Sequence, residues 1–199
     1  MPKRTNSART NLPPSLADPA LPLPKLFVFD LDYTLWPFWV DTHVWGTLKA
    51  NDDHTAATDR RGESFAFYRD VSSILLSLPS AGDEGIRLAV ASRTSAPARA
   101  RELLKLLHLD AGDASKPRRA LDVFDAGTEI YPSSKIRHFE ALQKRTGIAY
   151  EDMLFFDDES RNRDTETLGV TMWLVPDGVS WPEIEKGVAE WRRRRGHSS

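Results

Sequence analysis

Two carboxylates stand two residues apart in FDLDYTL, at Asp30 and Asp32, and two more stand side by side in FFDD, at Asp157 and Asp158. Residues i and i+2 of an extended segment point to the same side, so Asp30 and Asp32 converge where a strand ends. Such convergence is costly unless a cation or a proton relieves it. Hard carboxylate oxygens in a chain without cysteine suit Mg²⁺, which takes a few carboxylates together with water and phosphate. A single strand-end aspartate usually solvates a loop or caps a helix. Two acidic strand ends in one sheet shift the balance toward a site.

An anion-binding counterpart is also present. Ser92, Arg93 and Thr94 follow the apolar run RLAVAS and precede a helix. Hydroxyls and amides at such a turn hold phosphate oxygens, although the same residues serve ordinary turns. Lys135 falls in the first turn of a helix, where the dipole disfavours a cation. Either a nearby anion compensates it or the lysine is solvated.

The elements that must position these groups are readable from periodicity. LFVFDL (26–31), RLAVAS (87–92), MLFFDD (153–158) and VTMWLV (170–175) are short apolar runs that read as buried strands, with LDVFDAG around Val123 and Phe124 a weaker one. Helical spacing marks SFAFYRDVSSILLSL, ARARELLKLLHL after Pro97, SSKIRHFEALQKRTG between a serine cap and Gly147, a short RNRDTETLG, and WPEIEKGVAEWRRRR, in which Gly187 is a mild weakness. Strands alternating with helices imply a mainly parallel sheet in a Rossmann-like, three-layer α/β/α sandwich. Ligands of such folds bind beyond the carboxyl ends of the strands. Asp30 and Asp32, Ser92 and Arg93, and Asp157 and Asp158 all sit at such ends.

Composition narrows the function. The 199-residue chain has no cysteine, which removes disulfides and cysteine-nucleophile phosphatase chemistry. Its net charge of -2 offers no general attraction to nucleic acid or anionic membrane. No apolar run approaches the ~20 residues of a membrane span. Six of the 13 prolines lie in the first 24 residues, so 1–24 is expected to be a disordered tail, with 25–199 the folded domain. Lys3, Arg4 and Arg9 give only a faint targeting signal, with no apolar helical face beside them.

Together these residues resemble the haloacid dehalogenase superfamily. FDLDYTL matches its first motif, Ser92 its second, Lys135 its third, and Asp157 with Asp158 its fourth, in the right order over 26–175. LDYTLWPFWVDTHV, VASRT and FFDDESRN are similar to the magnesium-dependent phosphatase-1 family in particular. The resemblance implies a Mg²⁺-dependent, acid-type phosphatase working through an aspartyl-phosphate. Asp30 would be nucleophile and metal ligand, and Asp32 general acid and base with its backbone carbonyl on the metal. Asp157 would be the third protein ligand. Leu31 (through its amide), Ser92, Arg93 and Lys135 would bind phosphate. Asp158 would act through a water or by orienting Lys135. A dehalogenase would not need Asp32, because halide leaves without a proton. A phosphotransferase usually needs a closing lid to exclude water. A non-catalytic phosphate-binding protein is the least favoured reading, since every reactive position is intact.

Thr34 completes the first motif, and the loop after it carries Trp36, Phe38, Trp39 and His43. These aromatics either wall a substrate pocket or form a satellite core under the loop; His43 reads as structural, and Asp41 as a tie for the loop. Between Thr34 and Ser92 only roughly 30 residues remain beyond one helix and one strand, far below a second domain. A short insertion around 36–65 and no large cap are therefore expected, leaving an open site for a phosphorylated small molecule or phosphoprotein. The family is linked to protein phosphotyrosine and to sugar phosphates such as fructosamine-6-phosphates. A monomer or weak dimer in the cytoplasm is expected. Arg192 to Arg195 fit a helix end by their charge, with nuclear import the alternative role.

Overall fold

The computed structural model describes residues 12–82, 85–110 and 116–197. Its centre is a sheet of five parallel strands. In space they run β10 (Thr171–Leu174), β9 (Met153–Asp157), β1 (Leu26–Phe29), β5 (Arg87–Ser92) and β8 (Gly127–Ile130). Every residue of β1 and β9 is buried, which is why these strands are continuous apolar runs and do not alternate. Alternate residues serve two cores. Phe27, Phe29, Val90, Leu154 and Phe156 pack with α3 (Val71–Ser77), α4 (Pro97–Leu106) and α6 (Trp181–Arg194). Leu26, Val28, Ala89 and Phe155 pack with Phe139 and Leu142 of α5 (Lys135–Thr146). The three-layer α/β/α sandwich is thus the observed fold.

The helix ends are built from local chemistry. Ser134 caps α5 by accepting from the Arg137 amide, and Gly147 closes it at φ 71°. Gly187 in α6 proves to be a packing requirement: a Cβ there would meet the Phe156 ring at 2.7 Å. It lets the helix lie close on the sheet.

Three expectations change. The third strand lies at Gly127–Ile130, whereas Ala120–Val123 forms a 3₁₀ turn. It is an edge strand, and its Glu129 is buried against Arg145 at 2.7 Å, so it carries little apolar signal. The expected long helix through SFAFYRDVSSILLSL begins only at Val71; Ser64–Ala66 is a strand. That strand, β4, joins β2 (Lys49–Ala50) and β3 (Ala56–Thr58) in a small antiparallel sheet, the whole of the insertion's regular structure besides α2 (Val40–His43). The segment Arg118–Arg119 (β7) pairs with His108–Leu109 (β6).

The third change concerns the proline-rich start. Residues 1–11 lie outside the described residues, but 12–24 are packed, not disordered. Leu16, on α1 (Pro14–Ala17), enters the core. Prolines lack amide donors but keep their carbonyls, and Arg192 exploits this: its guanidinium, itself buried, donates to Pro22 O at 2.9 Å and to Ser15 O at 2.8 Å. The other members of the arginine run are also engaged. Arg193 and Arg194 pair with Glu190, and Arg195 donates to the carbonyls of Glu151 and Gly169. No described helix is long and apolar enough to cross a membrane.

Candidate active site

The strands β9, β1 and β5 are neighbours, so their carboxyl ends bring Asp157, Asp30 and Ser92 together. Asp30 follows β1 directly, and its amide continues the ladder to Phe156 O at 3.0 Å. The next turn is tight: the Leu31 carbonyl receives the amides of Thr34, Leu35 and Trp36. Tyr33 adopts φ 53°, a conformation uncommon for a non-glycine residue and one that marks functional turns. This turn sets Asp32 beside Asp30 at a cleft of about 320 Å³.

Lys135 lies beneath the cleft and is almost completely buried. Its ammonium donates to Asp30 Oδ1 at 2.7 Å and to Ala91 O at 2.5 Å, and pairs with Asp157 Oδ2 at 2.9 Å. The solvated reading of this lysine is therefore excluded, and the unfavourable helix dipole is offset by two carboxylates. Burial disfavours the charged amine, but Asp30 and Asp157 outweigh it and hold Lys135 above its ordinary value. Burial pushes the Asp30 carboxyl up to about 8, against the lowering influence of Lys135.

The Asp157–Asp158 pair divides its work. Asp157 is fully buried; Oδ1 accepts from the Glu159 amide at 2.7 Å, and Asn162 Nδ2 reaches both oxygens at 2.9 Å. With Lys135 on Oδ2, both its oxygens are engaged, and it is Asp157 rather than Asp158 that orients the lysine. Asp158 is half-buried and lines the cleft. Burial, then the charge of Asp157, pushes its carboxyl up to about 6.

Asn162 was not singled out in the sequence, although it stands within FFDDESRN. It links Asp157 to Arg93, whose guanidinium donates to Asn162 Oδ1 at 3.2 Å. Ser92 is buried at the end of β5 and also lines the cleft, with its hydroxyl accepting from the Thr94 amide at 3.4 Å.

Asp32 is held through one oxygen. Oδ1 accepts from the Trp36 indole at 2.7 Å and from the Val40 amide at 3.2 Å. Burial pushes its carboxyl up to about 6, against these two donors. A carboxyl in that range can both give and take a proton near neutrality.

The aromatic loop splits between its two readings. Trp36 and Phe38 are core residues, stacked at 5.3 Å. Trp39 is 49% exposed and forms part of the cleft wall. His43 is exposed and stacks on Trp39 at 5.7 Å, accepting the Trp39 amide at Nδ1, which is a structural role. Asp41 ties the loop to Ser95 Oγ at 2.7 Å. Thr34 is buried away from the cleft lining, and its hydroxyl has no partner among the described residues.

Mg²⁺ fits this donor set. Asp30, Asp157 and Asp158 each place a carboxylate oxygen within 4.8 Å of the others. Lys135 pairs with Asp30 and Asp157, and Asp32 and Asp158 add two further carboxylates at the cleft, so even with Arg93 and Arg161 on its wall this carboxylate cluster is suited to a small dication.

Comparison with known proteins agrees with this geometry. A family described as Acid Phosphatase matches residues 22–194. The chain is 45% identical over 167 residues to human magnesium-dependent phosphatase 1, covering 83% of this chain and 86% of that protein. It is 44% identical over 149 residues to an HAD-like hydrolase superfamily protein of Schizosaccharomyces pombe, covering 74% of this chain and 83% of the relative. The crystal structure of the N-terminal part of the Bacteroides fragilis protein BF1531, containing a phosphatase domain complexed with Mg, shares the fold. Its TM-score is 0.50 at 19% identity, over 86% of this chain and 39% of that one.

Proposed function

The chain belongs to the magnesium-dependent phosphatase-1 family of the haloacid dehalogenase superfamily, and from that membership we propose that it cleaves phosphate monoesters through an aspartyl-phosphate on Asp30. It is a Mg²⁺-dependent phosphatase of that superfamily's type. The observation that carries the finer reading is Lys135, buried between Asp30 and Asp157 at the floor of the cleft.

A carboxylate attacks a phosphate dianion poorly because like charges repel. Bound Mg²⁺ would neutralise charge on the phosphate oxygens. We assign its protein ligands to Asp30, the backbone carbonyl of Asp32, and Asp158. Asp158 takes the place first given to Asp157 because it lines the cleft, whereas both Asp157 oxygens are already engaged. Lys135 orients Asp30 and adds positive charge beneath the phosphate. Ser92, Arg93 and the Leu31 amide hold the phosphoryl oxygens. Asp30 Oδ attacks phosphorus as the ester P–O bond breaks, and Asp32 gives its proton to the departing oxygen. Asp32 then takes a proton from the water that attacks phosphorus, which releases inorganic phosphate and restores Asp30.

The substrates we propose are protein phosphotyrosine and sugar phosphates such as fructosamine-6-phosphates. An open cleft with a half-exposed Trp39 on its wall supports bulky leaving groups. Two measurements test the reading. A chiral phosphate ester should be hydrolysed with net retention at phosphorus, since two displacements occur; inversion would mean direct attack by water. A panel of phosphopeptides and sugar phosphates, ranked by kcat/KM with Mg²⁺ and with EDTA, tests the substrate class, and turnover undiminished by EDTA would defeat the metal assignment.

A further inference from the structure

Among the described residues, Trp36 is the one buried aromatic whose polar atom reaches a reactive side chain. Its indole N–H meets Asp32 Oδ1 at 2.7 Å. The ring cannot follow a moving carboxylate. It is stacked on Phe38 at 5.3 Å and on Phe67 at 5.9 Å, and its own amide is bonded to the Leu31 carbonyl. The second donor on the same oxygen, the Val40 amide, is also fixed, because it belongs to the first turn of α2. Two rigid donors on Oδ1 hold the carboxyl plane against rotation. Oδ2 is left as the oxygen whose lone pairs the loop does not use, on a side chain that lines the cleft.

We propose that Trp36 is the positioning residue of acid–base catalysis in this protein: by occupying Asp32 Oδ1 it presents Oδ2 to the leaving group. The inference rests on Asp32 being the general acid, as argued above. A buried indole N–H usually finds an acceptor, so the alternative is that Asp32 serves Trp36 and the bond merely secures the loop. These differ in what they do to substrates. Misplacing an acid costs rate only where the leaving oxygen needs a proton, whereas a loosened loop slows every ester alike.

The test uses the full chain with Mg²⁺. Trp36→Phe keeps an aromatic ring against Phe38 and Phe67 but removes the N–H. Its kcat/KM, which reports steps through departure of the leaving group, should fall roughly 10- to 10²-fold for an alkyl phosphate. For p-nitrophenyl phosphate, whose leaving group is stable as the anion, it should fall less than about 3-fold, because no proton transfer is lost. The Mg²⁺ concentration for half activity should not move. Ser95→Ala, which removes the loop's tie to Asp41 without touching Trp36 or Asp32, should leave the ratio of the two esters unchanged. Equal losses for both esters, no loss for either, or the same ratio change in Ser95→Ala would overturn the proposal. Asp32→Asn measured alongside separates the two levels. If it shows no preference between the esters, the acid assignment itself fails and the proposal with it. If it is selective and Trp36→Phe is not, only the positioning role fails. Should Trp36→Phe not fold, the indole ¹⁵N–¹H resonance of Trp36 in the parent gives a second reading. Loss of its acceptor in Asp32→Ala should move it, and an unmoved resonance would overturn the contact.

Discussion

Replacing Lys135 by Met tests the electrostatic design of the site in one step. The side chain keeps an unbranched apolar stem, one heavy atom shorter, but loses the charge that sits between Asp30 Oδ1 at 2.7 Å and Asp157 Oδ2 at 2.9 Å. Removing one partner of a buried ion pair typically costs about 3–5 kcal/mol, because the remaining charge stays desolvated. In a domain of this size 1 kcal/mol corresponds to roughly 2–4 °C, so Tm in EDTA should drop by about 6–20 °C. Mg²⁺ supplies the missing positive charge next to the same carboxylates, so saturating metal should raise the variant's Tm by more than the parent's. The pH dependence has a definite sign. Asp30 is already raised to about 8 with Lys135 present, and losing the ammonium removes its main lowering influence. The folded variant therefore holds a proton that the unfolded chain releases, and its metal-free stability should fall as pH rises from ~4 toward 8 and beyond. Scanning calorimetry with and without Mg²⁺ at several pH values measures all three effects. Turnover should fall by at least about 10²-fold, the scale of losing one charge-stabilising donor. A Tm within 2 °C of the parent in EDTA, or an equal gain from Mg²⁺ in both proteins, would refute the reasoning.

Asp158→Asn should raise the Mg²⁺ concentration for half activity, with turnover largely recovered at high metal, while Asp157→Asn should lower stability and turnover with little rescue; metal titration of both variants checks the division. His138 is buried, and burial followed by the charge of Lys135 holds its imidazole down at about 4. The unfolded chain takes up a proton near pH 6.5 that the folded chain refuses until about 4, so stability should decline as pH falls through that window, by at most about 3 kcal/mol. His138→Gln should flatten denaturation midpoints between those pH values, and an unchanged slope would rule out this contribution. Arg192→Ala removes two guanidinium–carbonyl bonds from the amino-terminal segment. It should cost roughly 2–5 kcal/mol and expose residues 12–24 to limited proteolysis, with full Mg²⁺-dependent turnover in the intact chain.

The chemistry of the site and the places of its central strands along the chain were legible in the sequence because both are local. Asp30 and Asp32 share a side of an extended segment whatever surrounds it, and runs such as LFVF and MLFF are apolar throughout because a central parallel strand is covered on both faces. The edge strand Gly127–Ile130 escaped because its glycine and its buried glutamate make sense only opposite Arg145, a residue from another element. The proline-rich segment looked unpackable because prolines cannot donate; its acceptors were satisfied by a guanidinium nearly the whole chain away. Trp36 and Trp39 are neighbours in a loop, yet one is core and the other cleft wall, and composition cannot distinguish them. Adjacent aspartates likewise carry the same chemistry, but the turn after β9 points Asp157 inward to Asn162 and Lys135 and Asp158 toward the cleft. The sequence by itself determined which groups could react. Tertiary structure decided which oxygen of each group is free to do so, because that depends on donors contributed by distant parts of the chain.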